Sequence, residues 1–260
     1  MTRLLVLYVF HIYNNRVKHF IKNCIFNDPN VDFIIISNDK NNVFDVADNV
    51  KTLFRDNIGY DFGGWSDALL INNLYKNYDK FIFVNSSVIG PFIPSYYKKK
   101  WTDIYIDGLQ NNIKLFGSSI NTCENPLELS HVQSYIFSMD KTTLQYLINC
   151  EIFSMNNYAE TFVECIYQKE VLMSRKIIEN NWNIGSLMNY YKDVDFTFTN
   201  KKPEEYNIKF LGDVMFSEFK NKIWDIYGNV FIKGNRKIHF NIIQKNLLLN
   251  FINLYTIEDL

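Results

Sequence analysis

The amino-acid sequence predicts an α/β fold, a mainly parallel sheet flanked by helices, on three observations. Short apolar runs alternate with segments of helical spacing across the N-terminal third of the chain. The runs are continuous, as in strands buried on both faces, and do not alternate apolar with polar. Each run also ends in a polar cluster, the pattern of a sheet whose carboxyl edge lines a crevice.

Taken in order, Leu4 to Phe10 reads as the first buried strand. Its seven apolar residues end at His11, with no small-residue cleavage site, so a strand is expected here and a signal peptide is not. Asn14 and Asn15 precede a helix with Val17, Phe20, Ile21, Cys24 and Ile25 on one face, broken by Asp28-Pro29-Asn30. Phe33 to Ile36 is a second strand, and Val50 to Phe54 a third. A helix through Ala68, Leu69, Ile71, Leu74 and Tyr75 follows, then a strand at Lys80 to Val84. Beyond Pro94 the spacing predicts a helix over Trp101 to Leu109 and strands over Ile113 to Ser118 and Val132 to Met139. Helices are predicted over Thr142 to Asn149 and Tyr158 to Asn180. The pattern weakens after Pro203: a short helix or loop near Phe216 to Trp224, then a C-terminal helix over Phe240 to Tyr255. No repeat or linker divides the chain, so 1–260 reads as one domain, with 203–260 as a C-terminal extension closing the site.

Composition narrows the function. Lys and Arg number 27 against 28 Asp and Glu, a net charge of −1, which argues against a nucleic-acid partner. No stretch approaches the ~18–20 apolar residues of a transmembrane helix. Cys24, Cys123, Cys150 and Cys165 form no CxxC pair, and the expectation is reduced, mostly buried thiols in a soluble cytoplasmic protein. The 34 Asn reflect mainly an AT-rich coding bias, yet Asn38, Asn57 and Asn85 fall at strand ends.

The chain lacks GxGxxG, the P-loop, HExxH and GxSxG, which disfavours a Rossmann dehydrogenase, a P-loop NTPase, a zincin and an α/β hydrolase. Two segments stand out. Asn57-Ile58-Gly59-Tyr60-Asp61-Phe62-Gly63-Gly64-Trp65 sets three glycines around a carboxylate; it is either a ligand-approach loop or a turn that starts the next helix. Asn85-Ser86-Ser87-Val88-Ile89-Gly90-Pro91-Phe92 follows a strand directly and offers an amide and hydroxyls, uncharged oxygen ligands that hold a hard cation weakly.

In that order the two segments resemble the rhamnan-synthesis F family and related viral and algal GT-A glycosyltransferases. Lys114 to Asn121, Ser130 to Phe137, Glu170 and Ser174 before Asn181-Trp182-Asn183-Ile184, and Phe231 to Arg236 agree with the same family. The resemblance spans about residues 3 to 240. It implies a GT-A-like (Rossmann-like) sheet, a nucleotide-diphosphate sugar as donor, and a glycan or polysaccharide acceptor. It departs from relatives in having no Asp within Asn85 to Ser87, so strong metal dependence is not implied.

On that resemblance, Phe10, His11, Asn38 and Asp39 are expected to hold base and ribose. Asn57 and Asp61 would face the nucleotide or sugar, with Gly63 and Gly64 allowing close approach. Asn85 and Ser87 would lie under the diphosphate, with His131 as a third candidate ligand if Mn²⁺ or Mg²⁺ takes part. Lys233 and Arg236 would offset leaving-group charge. His131, with Gln133 and Ser134, would line the acceptor side, and Glu170 would be the general base that activates the acceptor hydroxyl. The competing reading is a catalytically inactive nucleotide- or carbohydrate-binding module of the same fold.

Overall fold

The computed structural model describes residues 2–93, 96–213 and 226–235. In chain order the elements are β1 (Leu4–Phe10), α1 (Asn15–Asn23), β2 (Val31–Ser37), β3 (Lys51–Phe54), α2 (Tyr60–Leu70), β4 (Lys80–Asn85) and β5 (Val88–Ile89). Then come α3 (Trp101–Asp107), β6 (Ile113–Gly117), β7 (Ile120–Asn121), β8 (His131–Val132), β9 (Ile136–Asp140) and α4 (Lys141–Asn149). A long helical stretch begins with α5 (Phe162–Glu164), passes through a π-helical segment (Cys165–Val171) and continues as α6 (Leu172–Glu179). β10 (Asn183–Ser186), α7 (Ile226–Asn229) and β11 (Ile232–Lys233) complete the described chain.

The main sheet has seven strands in the order β10-β6-β9-β4-β1-β2-β3. β1 pairs in parallel with both β2 and β4, β2 with β3, and β6 with β10; only β9 runs against its neighbours. The expected mainly parallel α/β architecture is therefore present. Phe10, Ser37, Phe54 and Asn85 end their strands on one edge, and the start of β9 lies on that same edge because it is antiparallel.

Both faces of the sheet are covered, which is why β1 is buried from end to end. On one face α2 sets Trp65 edge-on against Phe83 and Phe137, which stack across β4 and β9 at 4.7 Å. On the other, Phe20 of α1 stacks on Tyr8 at 3.8 Å, and Trp101 of α3 packs edge-on against Phe231. Each such fully buried side chain contributes about 1.5–3 kcal/mol before chain entropy is counted. α1 begins where it does because the Asn14 side chain accepts the Arg16 and Val17 amides, satisfying two otherwise open donors.

Two elements differ from expectation. The strand expected over Val132 to Met139 is interrupted between β8 and β9. There Ser134 donates its amide to Glu170, and the Gln133 amide joins the Ser119 and Asp213 side chains, so these residues leave the ladder. The helix expected from Tyr158 begins at Phe162. Thr161 and Glu164 form a reciprocal capping box there, while the Tyr158 hydroxyl is held by Asp67. The segments expected as helix or loop at Phe216 to Trp224 and as helix at Phe240 to Tyr255 lie outside the described residues. Cys24 and Cys165 are buried and Cys123 and Cys150 partly so, all four as free thiols. Among the described residues no helix is long and apolar enough to cross a membrane.

Candidate functional site

At the carboxyl edge Asp61 and Asn85 are joined by a hydrogen bond, and Glu170 and Lys233, from distant parts of the chain, lie near enough for their charges to act on Asp61. Gly59 and Tyr60 both take left-handed backbone angles (φ 72° and 54°), turning the chain off β3 so that α2 starts with Asp61 in its first turn. β4 ends at Asn85, whose Nδ2 donates to Asp61 Oδ2 at 2.9 Å while its Oδ1 accepts the Ser87 amide at 3.0 Å. A backbone N–H can only donate, so this contact fixes which way the Asn85 amide faces.

Burial pushes the Asp61 carboxyl up from 3.8 to about 6. The Asn85 hydrogen bond opposes that, the charge of Glu170 adds to it, and the charge of Lys233 partly offsets it. Lys233 reaches the site because β11 pairs antiparallel with β5, placing Lys233 opposite Val88, and because Gly234 donates its amide to Ser87 O at 2.7 Å. The Lys233 ammonium lies 5.6 Å above the Tyr135 ring. Glu170 sits in the π-helical segment, a local widening that recurs at functional sites. Its Oε1 accepts the Ser134 amide at 2.6 Å, and it makes no ion pair with Arg175, which pairs with Glu179 instead.

The remaining expected residues divide. His11 and Asp39 stand at the ends of β1 and β2, His11 Nδ1 against Asn38 O at 3.0 Å and Asp39 Oδ1 accepting the Asn41 amide. Phe10 is completely buried, edge-on to Phe44, so its ring faces the core and cannot stack on a base. Asn38 is 2% exposed: its amide donates to Tyr60 O and Asn57 Oδ1, and its oxygen accepts from Arg55. It braces the β2 end to the following loop and has nothing left for a ligand. Gly63 and Gly64 admit protein, not ligand. A Cβ on Gly63 would stand 2.0 Å from Ile58 O, and one on Gly64 2.8 Å from a Val9 methyl, so both glycines let α2 lie close on its loop and on β1. Ser87 is partly buried and anchors Gly234 through its carbonyl. Lys233 lies within β11 rather than after a strand, and Arg236 lies outside the described residues.

The residues expected to ligate a metal do not form a suitable donor set. Asn85 turns its NH₂ toward Asp61 and its oxygen toward the Ser87 amide. His131 holds Leu129 O at 2.6 Å with Nδ1 and faces the Asn121 amide at 3.5 Å with Nε2, as part of the β7–β8 pair. Among the described residues no three His, Cys, Asp or Glu side chains gather as metal ligands. A divalent cation wants several oxygens, some of them charged, at one point, and Asn85 and His131 do not supply them.

Sequence reasoning passed over Arg55, which is 7% exposed at the end of β3. It donates to Asp67 at 2.6 Å, Asn38 at 2.9 Å and Ile58 O at 2.7 Å, and so holds the whole 55–60 turn. Its signal was present: an Arg placed directly after Leu53-Phe54, ahead of a glycine-rich loop. Lys169 was also missed. It is 3% exposed and donates at 2.7 Å to the carbonyls of Glu151 and Asn157, pinning the loop ahead of α5.

The model of the family described as Rhamnan synthesis protein F matches residues 33–229. Among curated proteins, the virulence protein VirA of Vibrio anguillarum is 32% identical over 100 residues, covering 36% of this chain. A second VirA sequence from that species matches to the same extent. The matched stretch is 28% of VirA's own length.

Proposed function

The chain belongs to the rhamnan synthesis protein F family, and from that premise we propose that it is a glycosyltransferase, moving a sugar from a nucleotide-diphosphate sugar to a glycan acceptor during polysaccharide synthesis. The observation that carries this reading is the cluster of Asp61, Asn85, Glu170 and Lys233 at the carboxyl edge of a mainly parallel sheet. Residues 1–260 act as one domain, in the cytoplasm, where four free thiols are at home.

Each group has a task that its surroundings support. His11 and Asp39 receive base and ribose at the ends of β1 and β2. The donor diphosphate carries negative charge that grows as the glycosidic bond to it breaks, and Lys233 offsets that charge. Glu170 uses one carboxylate oxygen on the Ser134 amide, which fixes its orientation, and leaves Oε2 to take the acceptor's hydroxyl proton. Asp61, held by Asn85 beside the same centre, orients the transferred sugar by accepting from a hydroxyl. Asn85 and Ser87 shape the floor through their own hydrogen bonds.

The test is to mix the purified chain with a panel of nucleotide-diphosphate sugars, with and without Mn²⁺, following the melting temperature and donor hydrolysis. A donor that raises Tm and is turned over supports the proposal, since a ligand of the native state must stabilise it. If none shifts Tm and none is hydrolysed, the proposal falls. Binding without hydrolysis or transfer makes the chain an inactive binding module.

A further inference from the structure

A pocket of about 590 Å³ opens between residues 57–60 and residues 156–160, its lining ending one residue along the chain from Asp61. Its volume is that of a small-molecule site. Asn57, Tyr60, Asn156, Asn157 and Glu160 supply its polar groups, Tyr158 contributes its ring while its hydroxyl donates to Asp67, and no Lys or Arg lines it. Both walls are braced from behind. Arg55 holds the 57–60 side through Ile58 O and Asn38, and the buried Lys169 holds the other through the carbonyls of Glu151 and Asn157. Tyr60 connects the pocket to the cluster, being followed in the chain by Asp61, and its ring packs edge-on against exposed Phe162.

The chemistry of this lining selects its occupant. No Lys or Arg faces the pocket and Glu160 sets a negative charge there, so the lining lacks the side-chain cations that a diphosphate draws on. The Asn57 and Asn156 amides, the Asn157 oxygen, the Glu160 carboxylate and the Tyr60 hydroxyl instead match the dense hydroxyls of a neutral sugar, and the Tyr60 and Tyr158 rings cover its C–H faces; the Tyr158 hydroxyl and the Asn157 NH₂ are spent on Asp67 and Glu151. We propose that this pocket binds the neutral oligosaccharide acceptor, with its growing end directed toward Glu170 and Asp61. The assignment rests on the glycosyltransferase reading above for its word acceptor, not for saccharide binding itself. It moves the acceptor away from the expected side at His131, Gln133 and Ser134. There Gln133 is 1% exposed with both ends of its amide engaged, and both His131 ring nitrogens face neighbours.

The experiment titrates the ¹⁵N-labelled full chain with a rhamnose disaccharide and, separately, with uridine and thymidine diphosphates, following the side-chain amide resonances of Asn156 and Asn157. These resonances should move with the disaccharide and stay in place with the nucleotides. In transfer assays, Asn156→Ala and Glu160→Gln should each raise the acceptor KM about tenfold, the loss of one or two hydrogen bonds, while the donor KM holds within roughly twofold. The proposal is overturned if the nucleotides move these amides, if the disaccharide moves only resonances elsewhere, or if both variants keep the wild-type acceptor KM. Because saccharide binding is read without any donor, a chain that binds the disaccharide here yet hydrolyses no nucleotide sugar would sink the transferase reading and leave the pocket assignment standing.

Discussion

Replacing Asp61 by Asn should stabilise the protein at neutral pH while damaging its activity. Burial holds the Asp61 carboxyl at about 6 in the folded chain against 3.8 for a free side chain. The native state therefore keeps this proton more tightly than the unfolded state. The resulting stability is complete below pH ~4 and is lost as pH rises through ~6. Two pKa units at ~1.4 kcal/mol each put the cost of an ionised Asp61 near 3 kcal/mol, reduced to ~1–2 kcal/mol by water that reaches the half-buried group. Asn mimics the protonated carboxyl at every pH and keeps an oxygen for the Asn85 amide, so the variant escapes that cost. At ~2–4 °C per kcal/mol for a chain of this size, Tm should rise about 2–8 °C at pH 7.5. Urea unfolding of both proteins at pH 4.5, 6 and 7.5, with m held common, measures the difference directly. Other titrating groups, such as His19, whose pKa burial lowers, are shared by the two proteins and cancel. The reasoning fails if the difference is flat with pH, or if the wild type is the more stable protein at pH 7.5. A site that gives up stability to keep a charged carboxylate is one whose charge is used.

Glu170→Gln should keep donor affinity and lower single-turnover transfer by about 10²–10⁴, the usual worth of a positioned base; an unchanged rate removes Glu170 from the chemistry. Lys233→Met should weaken nucleoside-diphosphate binding about tenfold or more, on the scale of a hydrogen bond to a charged group, and flatten its salt dependence in calorimetric titrations. Gly63→Ala should cost at least ~1–3 kcal/mol of stability by overpacking, because its new methyl meets the Ile58 carbonyl, and urea midpoints will show it. Arg55→Met should cost ~3–5 kcal/mol by leaving Asp67 buried without its cation, read as a lower thermal midpoint.

The N-terminal half of the fold was legible because a strand buried on both faces leaves an unbroken apolar run, and β1, β2 and β4 do so from Leu4, Phe33 and Phe81. The break at Gln133 to Tyr135 was not legible. Its cause is a pair of contacts to Glu170 and Asp213, 36 and 80 residues away, and no local spacing records those. Likewise the start of α5 depends on Tyr158 being held by Asp67 across 91 residues, so apolar periodicity alone extended the helix too far.

The candidate site shows the same division between local and distant causes. Position at a strand end drew attention to Asn38, Asn57 and Asn85, but three similar amides at similar strand ends have three different fates. Asn38 is locked by Arg55 and Tyr60, Asn85 is aimed by Ser87 at Asp61, and Asn57 stays exposed at the rim of the pocket between residues 57–60 and 156–160. What separates them is which neighbours consume their hydrogen-bonding capacity, and those neighbours come from other elements. The glycines make the point from the opposite side. Gly63 and Gly64 beside a carboxylate suggested room for a ligand, whereas the space they leave is filled by Ile58, Val9 and Asn38. That close packing seats the first turn of α2 against the sheet and so holds Asp61 2.9 Å from Asn85. Residue type and spacing indicate where chemistry is concentrated; the hydrogen bonds already spent inside the fold decide which of those residues can take part in it.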